Sequence, residues 1–109
     1  MVAAISNAVV CLMSEYTGHG PTKARTYINE DLITVVLQDT LTKGERTLVG
    51  NGEIELVLAN RAAYQNTLRP ALIADVEEIS GRGVRAFLSA NHIAPDFAVE
   101  TFILDPVAG

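Results

Sequence analysis

The residues that could carry chemistry are few, and the most suggestive of them lie close together near position 20. Gly18, His19 and Gly20 are followed by Lys23 and Arg25, which alternate along a stretch with strand character. Bare glycine amides can approach an anion, and two cations on one strand face would neutralise it. These five residues predict a small-anion site, although alternating cations are also typical of the solvated face of a strand. No P-loop or dinucleotide fingerprint accompanies them.

The two histidines could hold a transition metal. His19 and His92 would need Asp96 as a third ligand, four residues after His92 across a proline turn. A metal site usually has three or four converging ligands, and this spacing fits no metal motif. We therefore expect no metal site. We expect instead that His92 hydrogen-bonds the turn containing Asp96 and that His19 is an exposed loop residue.

Residues for covalent or acid-base catalysis do not form a recognisable set. Cys11 lies in an apolar segment, where a cysteine is more often a small core residue than a nucleophile. No serine occupies a G-x-S-x-G elbow, and the adjacent Glu77 and Glu78 would point about 100° apart on a helix. The sequence favours a protein that is not an enzyme and has no cofactor. An enzyme acting at the anion site remains the alternative.

Composition limits the class of protein that could position these residues. The chain has 109 residues, 49% of them apolar and 19% charged, which predicts one globular domain over residues 1–109. The net charge of −5 argues against binding to nucleic acid or to an anionic membrane surface. The single cysteine cannot form an intramolecular disulfide, which favours the cytoplasm. Residues 1–13 are apolar but fall short of the ~20 residues that a membrane span needs, so we expect no membrane insertion.

The first half of the chain predicts a helix and a hairpin. Ile5, Val9, Leu12 and Tyr16 recur at helical spacing, and Gly18 stands where the helix would end. Residues 22–28 then alternate, residues 29–31 can form a turn, and residues 32–38 make a β-branched run typical of a central strand.

The middle of the chain predicts further helices. Thr42 and Glu45 have the spacing of a capping box, so a short helix should follow and end by Gly50. A longer helical pattern runs from Glu53 to Gly81, in which Pro70 predicts a kink or short break. Its expected apolar stripe comprises Ile54, Val57, Leu58, Leu68, Leu72, Ile73, Val76 and Ile79, with Ala62 and the ring of Tyr64 bridging the middle.

The last part of the chain predicts a second hairpin and completes the fold. Residues 84–93 and 97–104 are apolar runs rich in strand formers, separated by a turn at residues 94–96. The order of helix, hairpin, helices and hairpin predicts a two-layer α+β fold, with an antiparallel sheet of two β-hairpins and helices packed on one face.

Three segments of the chain carry a resemblance to a known family. They are the run from Tyr16 to Arg25, the run from Leu41 to Arg46, and the residues from Val84 to Asp96 that include Asn91-His92 and Pro95-Asp96. In this order they resemble the MpsC family, small bacterial proteins named after a component of a sodium-translocating, membrane-potential-generating system. The resemblance covers nearly the whole chain and carries over no catalytic residue. It implies a link to ion or inorganic-carbon uptake.

Two expectations about partners follow. The resemblance, with the lack of a catalytic set, favours a non-catalytic accessory or regulatory module that acts through contacts with a protein of a membrane transport system. The first helix is too apolar for a free surface helix, which predicts a homodimer or higher oligomer. A monomer that hides this helix within its own layers is the alternative.

Overall fold

The computed structural model describes residues 1–107, which fold into three helices and one four-stranded sheet. In chain order the elements are α1 (Val2–Thr17), β1 (Lys23–Asn29), β2 (Leu32–Gln38), α2 (Lys43–Gly50), α3 (Ile54–Ser80), β3 (Val84–His92) and β4 (Phe97–Leu104).

The sheet is antiparallel throughout and has the order β1-β2-β4-β3. Each hairpin supplies one edge strand and one central strand, and the hairpins join where β2 pairs with β4. β2 therefore lies in the centre, as its β-branched run predicts. The helices α1 and α3 contact each other and lie on the same face of the sheet. The predicted two-layer α+β fold is confirmed.

The core lies between the two long helices and one face of the sheet. α1 contributes Ile5, Val9 and Met13, one turn apart, and ends at Gly18, whose φ of 72° suits glycine. From the sheet, Phe87 and Phe102 pack with ring centroids 5.0 Å apart. Tyr16, expected on the buried stripe of α1, is 53% exposed.

The two later helices begin and end close to where the sequence places them. Thr42 caps α2: its hydroxyl accepts from the Glu45 amide at 3.1 Å, and the Glu45 carboxylate accepts from the Thr42 amide at 2.9 Å. The capping box is therefore confirmed. α3 ends at Gly81, which has a φ of 70°.

α3 differs from the expected helix in two respects. The helix is unbroken from Ile54 to Ser80, with Pro70 inside it, so the short break near Pro70 does not occur. Pro70 lies on the exposed side, where water can bind the carbonyl that its missing amide leaves free. The middle of the buried stripe is polar: Arg61 and Gln65 are buried there, while Ala62 is exposed.

Candidate functional site

Two of the five residues of the predicted anion site lie together. Lys23 and Arg25 are on the face of β1 that points away from the helices, where they line a shallow pocket of about 290 Å³ with Tyr27, Val36 and Phe97. Neither cation forms an ion pair within residues 1–107. Both are therefore free to meet an anion or an acidic partner.

The loop residues of that prediction do not line this pocket. His19 is half-buried rather than exposed, and its Nε2 lies 2.9 Å from the backbone oxygen of Asp39. Gly20 lies so close to the Ser14 hydroxyl that a side chain at position 20 would require this hydroxyl to move. The carboxylate of Asp39, which accepts from the Thr22 hydroxyl, adds negative charge beside the loop. The five-residue anion site stays a prediction.

The remaining candidate residues are His92, Asp96 and Cys11. His92 Nδ1 lies 2.8 Å from the Pro95 oxygen, so its predicted contact with the turn is confirmed. Asp96 points elsewhere and accepts from the Thr40 hydroxyl and the Leu41 amide at 2.9 and 2.8 Å. Within residues 1–107 no group of three His, Cys, Asp or Glu could hold a metal ion. Cys11 is exposed on α1, so its expected place in the core is wrong.

The most elaborate side-chain arrangement is a buried polar network that the sequence analysis did not identify. It joins α2 and α3 to the helix-facing side of β3 and β4 and to the segment after β2. The Arg61 network, as we name it, comprises Thr40, Glu45, Arg61, Gln65, Ser89, Asn91, Asp96 and Glu100.

Arg61 is at the centre of this network and is only 1% exposed. Its Nε donates to Asn91 Oδ1 at 2.9 Å and its Nη1 to Glu45 Oε1 at 3.2 Å, while Nη2 donates to the Thr40 hydroxyl. A buried guanidinium is costly unless a carboxylate and further acceptors surround it. The network meets this requirement.

Gln65 links Arg61 to a second buried acid. It exchanges hydrogen bonds with Asn91 at 3.1 and 2.9 Å, and its amide also donates to Glu100 Oε1 at 2.9 Å. The Ser89 hydroxyl donates to the other oxygen of Glu100. Burial raises the pKa of Glu100 to about 7, against these two donors and the Arg61 charge, which favour the carboxylate. Glu100 is therefore poised to exchange a proton near neutral pH.

The periodicity of the sequence contains a signal for this network. Arg61 and Gln65 follow Val57 by steps of four, and Leu68 continues the stripe three residues later. Glu100 alternates with Ala98 and Phe102 on β4, which places it on the helix-facing side. Polar residues in phase with a buried stripe are candidates for a buried network.

The opposite face of the sheet carries a set of large apolar residues, with Lys23 and Arg25 at one end of β1, and no element within residues 1–107 covers it. We call it the open face. Its large apolar residues are Tyr27, Leu32, Val36, Leu88, Phe97, Val99 and Ile103. Tyr27 and Leu88 are 55% and 56% exposed. Contiguous apolar surface of this kind usually marks an interaction site.

These features define a small two-layer α+β protein with a buried polar network on one side of its sheet and a free apolar face on the other. The chain matches the family model described as "Na+-translocating membrane potential-generating system (MpsC)" over residues 1–106, and it belongs to this family. Comparisons with curated proteins and with solved structures give no match. No helix within residues 1–107 combines the length and the apolar character that crossing a bilayer requires.

Proposed function

We propose that this protein is a non-catalytic accessory module of the membrane-potential-generating system after which its family is named, and that it works in the cytoplasm as a homodimer. The observation that carries the proposal is the open face. A surface that a protein keeps apolar without covering it serves contact with another protein. The family match supports the link to the transport system.

The second copy fits the open face in size. Four strands of about seven residues form a face of roughly 23 by 19 Å. Two such faces stacked on each other bury on the order of 900 Å² in total, and the uneven surface of the side chains adds to this area. That approaches the ~1,000 Å² expected of a specific interface. Stacked sheets also pack well when both inner faces are apolar.

Charge selects one orientation of the two copies. Lys23 and Arg25 lie at one end of β1, and the turn at its other end carries Glu30 and Asp31. We place a two-fold axis between the two sheets and perpendicular to the strands. It stacks β1 of one copy on β1 of the other, with the two strands running in opposite directions. Lys23 of each copy then lies near Glu30 of the other, so the interface is complementary to itself.

The oligomeric state of a matched pair of variants tests this interface. Leu88 on the open face and Leu56 on α3 are nearly equally exposed, at 56% and 53%. We expect a dimeric mass for the wild type and for Leu56→Glu, and a monomeric mass for Leu88→Glu, since a carboxylate buried between two sheets is unpaired. Light scattering measures the mass, and circular dichroism checks the fold. A monomeric wild type, or a dimeric Leu88→Glu, would contradict the proposed interface.

The same variants test the accessory role in cells. In cells lacking the gene, we expect a lower sodium-dependent membrane potential, measured with a voltage-sensitive dye. Wild type and Leu56→Glu should restore it, whereas Leu88→Glu should not. An unchanged potential in the deletion strain would refute the accessory role and leave the dimer untouched.

A small-anion binder, or an enzyme acting on a small anion, is the second candidate function. It is favoured by the free Lys23 and Arg25 in one pocket, with the Gly18-His19-Gly20 loop preceding them in the chain. If it is correct, phosphate or bicarbonate should raise the melting temperature of the wild type. The double variant Lys23→Ala plus Arg25→Ala should lose that increase.

A further inference from the structure

A second pocket opens between α1, α2 and α3, away from the open face. It has a volume of about 280 Å³ and is lined by Tyr16, Thr17, Thr42, Glu45, Asn60 and Tyr64. This volume is near the lower end of ligand pockets, so it suits a small molecule. The two tyrosine rings lie 6.4 Å apart, inclined at 33°, and provide an aromatic wall.

Two buried polar atoms of the residues lining this pocket have no hydrogen-bond partner within residues 1–107. They are Glu45 Oε2 and the Tyr64 hydroxyl. The Glu45 side chain is only 7% exposed, and its other oxygen is occupied by Arg61 and by the Thr42 amide. Buried polar atoms are nearly always paired, so the unpaired Glu45 oxygen is an acceptor that a donor bound in the pocket would satisfy.

Among the residues that the structure describes, Glu45 is the one charged residue that lines the pocket. Burial is the largest cause that raises the pKa of the Tyr64 hydroxyl to about 12. Among the nearby charges, Arg61 lowers this pKa, and Glu45, Glu100 and Asp96 raise it. Tyr64 therefore keeps its proton at neutral pH. A carboxylate in the lining favours a cation over an anion in the pocket.

We propose that this pocket binds a small organic ammonium group. The ammonium donates to Glu45 Oε2, and its alkyl part packs against the rings of Tyr16 and Tyr64. A carboxylate next to aromatic faces distinguishes an organic ammonium from a neutral alcohol, which lacks the charge, and from a metal ion, which needs more oxygen ligands. The site is separate from the open face, so it does not depend on the proposed dimer.

Calorimetric titration with n-butylammonium chloride tests the proposal on the full chain. We expect saturable binding in the low-millimolar range, which is reasonable for a ligand with so few atoms. Butanol and sodium chloride at the same concentrations should give no saturable binding. No saturable binding of n-butylammonium, or equal binding of butanol, would overturn the proposal.

Three variants test the residues. Glu45→Gln keeps an acceptor for the capping box but removes the charge that compensates the buried Arg61, so it should lower stability as well as reduce affinity about tenfold. Tyr64→Phe keeps the ring but removes the unpaired hydroxyl, a second acceptor for the ammonium, and should weaken binding a few-fold, which provides a second readout if Glu45→Gln does not fold. Glu78→Gln, at an exposed carboxylate of α3, is the matched control and should bind as the wild type does. Unchanged affinity in both pocket variants would overturn the assignment.

Discussion

At the scale of single residues, the Arg61 network is the most demanding part of this protein. A buried guanidinium and two buried carboxylates are stable only together, because removing one partner leaves the others without compensation. Glu45 has a double role, since the oxygen that caps α2 also accepts from Arg61. Glu100 differs from Glu45: burial disfavours its charge more than its two donors favour it.

This imbalance at Glu100 predicts a pH dependence of stability. Its pKa is raised from 4.5 to about 7 in the folded protein, so between these values the folded state holds the proton more tightly than the unfolded chain. The contribution of Glu100 to the free energy of unfolding should therefore fall by about 2 kcal/mol from pH 5 to pH 8. Urea denaturation at the two pH values measures it.

The variant Glu100→Gln isolates this contribution from other titrating groups. Because glutamine carries no titrating proton and retains an acceptor for Ser89, its stability relative to the wild type should rise by the same ~2 kcal/mol between pH 5 and pH 8. A difference between the two proteins that stays constant with pH would mean that Glu100 is not protonated in the fold.

At the scale of elements, α3 organises the protein. Its buried stripe is apolar at both ends and polar in the middle, where it carries Arg61 and Gln65. The helix therefore holds the network in place and also covers the sheet. It does so despite Pro70, which removes one backbone donor from a helix of 27 residues.

Replacing this proline predicts a stabilised helix. Pro70 is exposed, so Pro70→Ala loses no packing, restores a hydrogen bond to the preceding turn and improves helix propensity. After allowing for the greater entropy of the unfolded chain, we expect the free energy of unfolding to rise by about 2 kcal/mol. Thermal and urea denaturation measure the change. Ala74→Gly, at another exposed position of α3, is the control and should lower stability by about 1 kcal/mol. A Pro70→Ala protein no more stable than the wild type would mean that α3 needs the proline.

At the scale of the whole molecule, the two faces of one sheet serve different purposes. One face holds the core and the Arg61 network under α1 and α3, and the open face remains available to a second copy. The molecule measures 54 × 21 × 21 Å over the described residues, so it is elongated. An elongated body leaves much of its surface exposed, and pairing through the open face would reduce that exposure.

The proposed orientation of the dimer predicts a charge-swap effect. Lys23→Glu should weaken the dimer three- to tenfold at low salt, because each copy then places a carboxylate near Glu30 of the other, and rim pairs contribute about 0.2–1 kcal/mol each. Adding Glu30→Lys should restore affinity. Sedimentation equilibrium measures the dissociation constant. A double variant as weak as Lys23→Glu alone would refute the antiparallel orientation while leaving Leu88→Glu to test the interface itself.

Local patterns predicted most of the elements. The helical spacing of α1, the capping box at Thr42, the glycine at position 81 and both hairpins depend on residues close in sequence, and all are confirmed. Of the kink or short break that Pro70 suggests, the break does not occur, because the sequence shows the lost hydrogen bond but not the packing of the rest of α3. Contacts on the buried side of a long helix can outweigh one missing donor on its exposed side.

The sequence by itself determined the fold class, because hydrophobic periodicity and turn residues act locally and specify which face of each element is buried. Only the tertiary structure decided which polar residues meet. Arg61 binds groups 16 to 30 residues away in the chain, and Gln65 reaches Glu100, 35 residues away. No local pattern encodes such distances, which are set when α3 packs across the sheet. The open face is likewise decided by the tertiary structure. The helices pack on one face of the sheet, and the apolar residues of the other face stay uncovered.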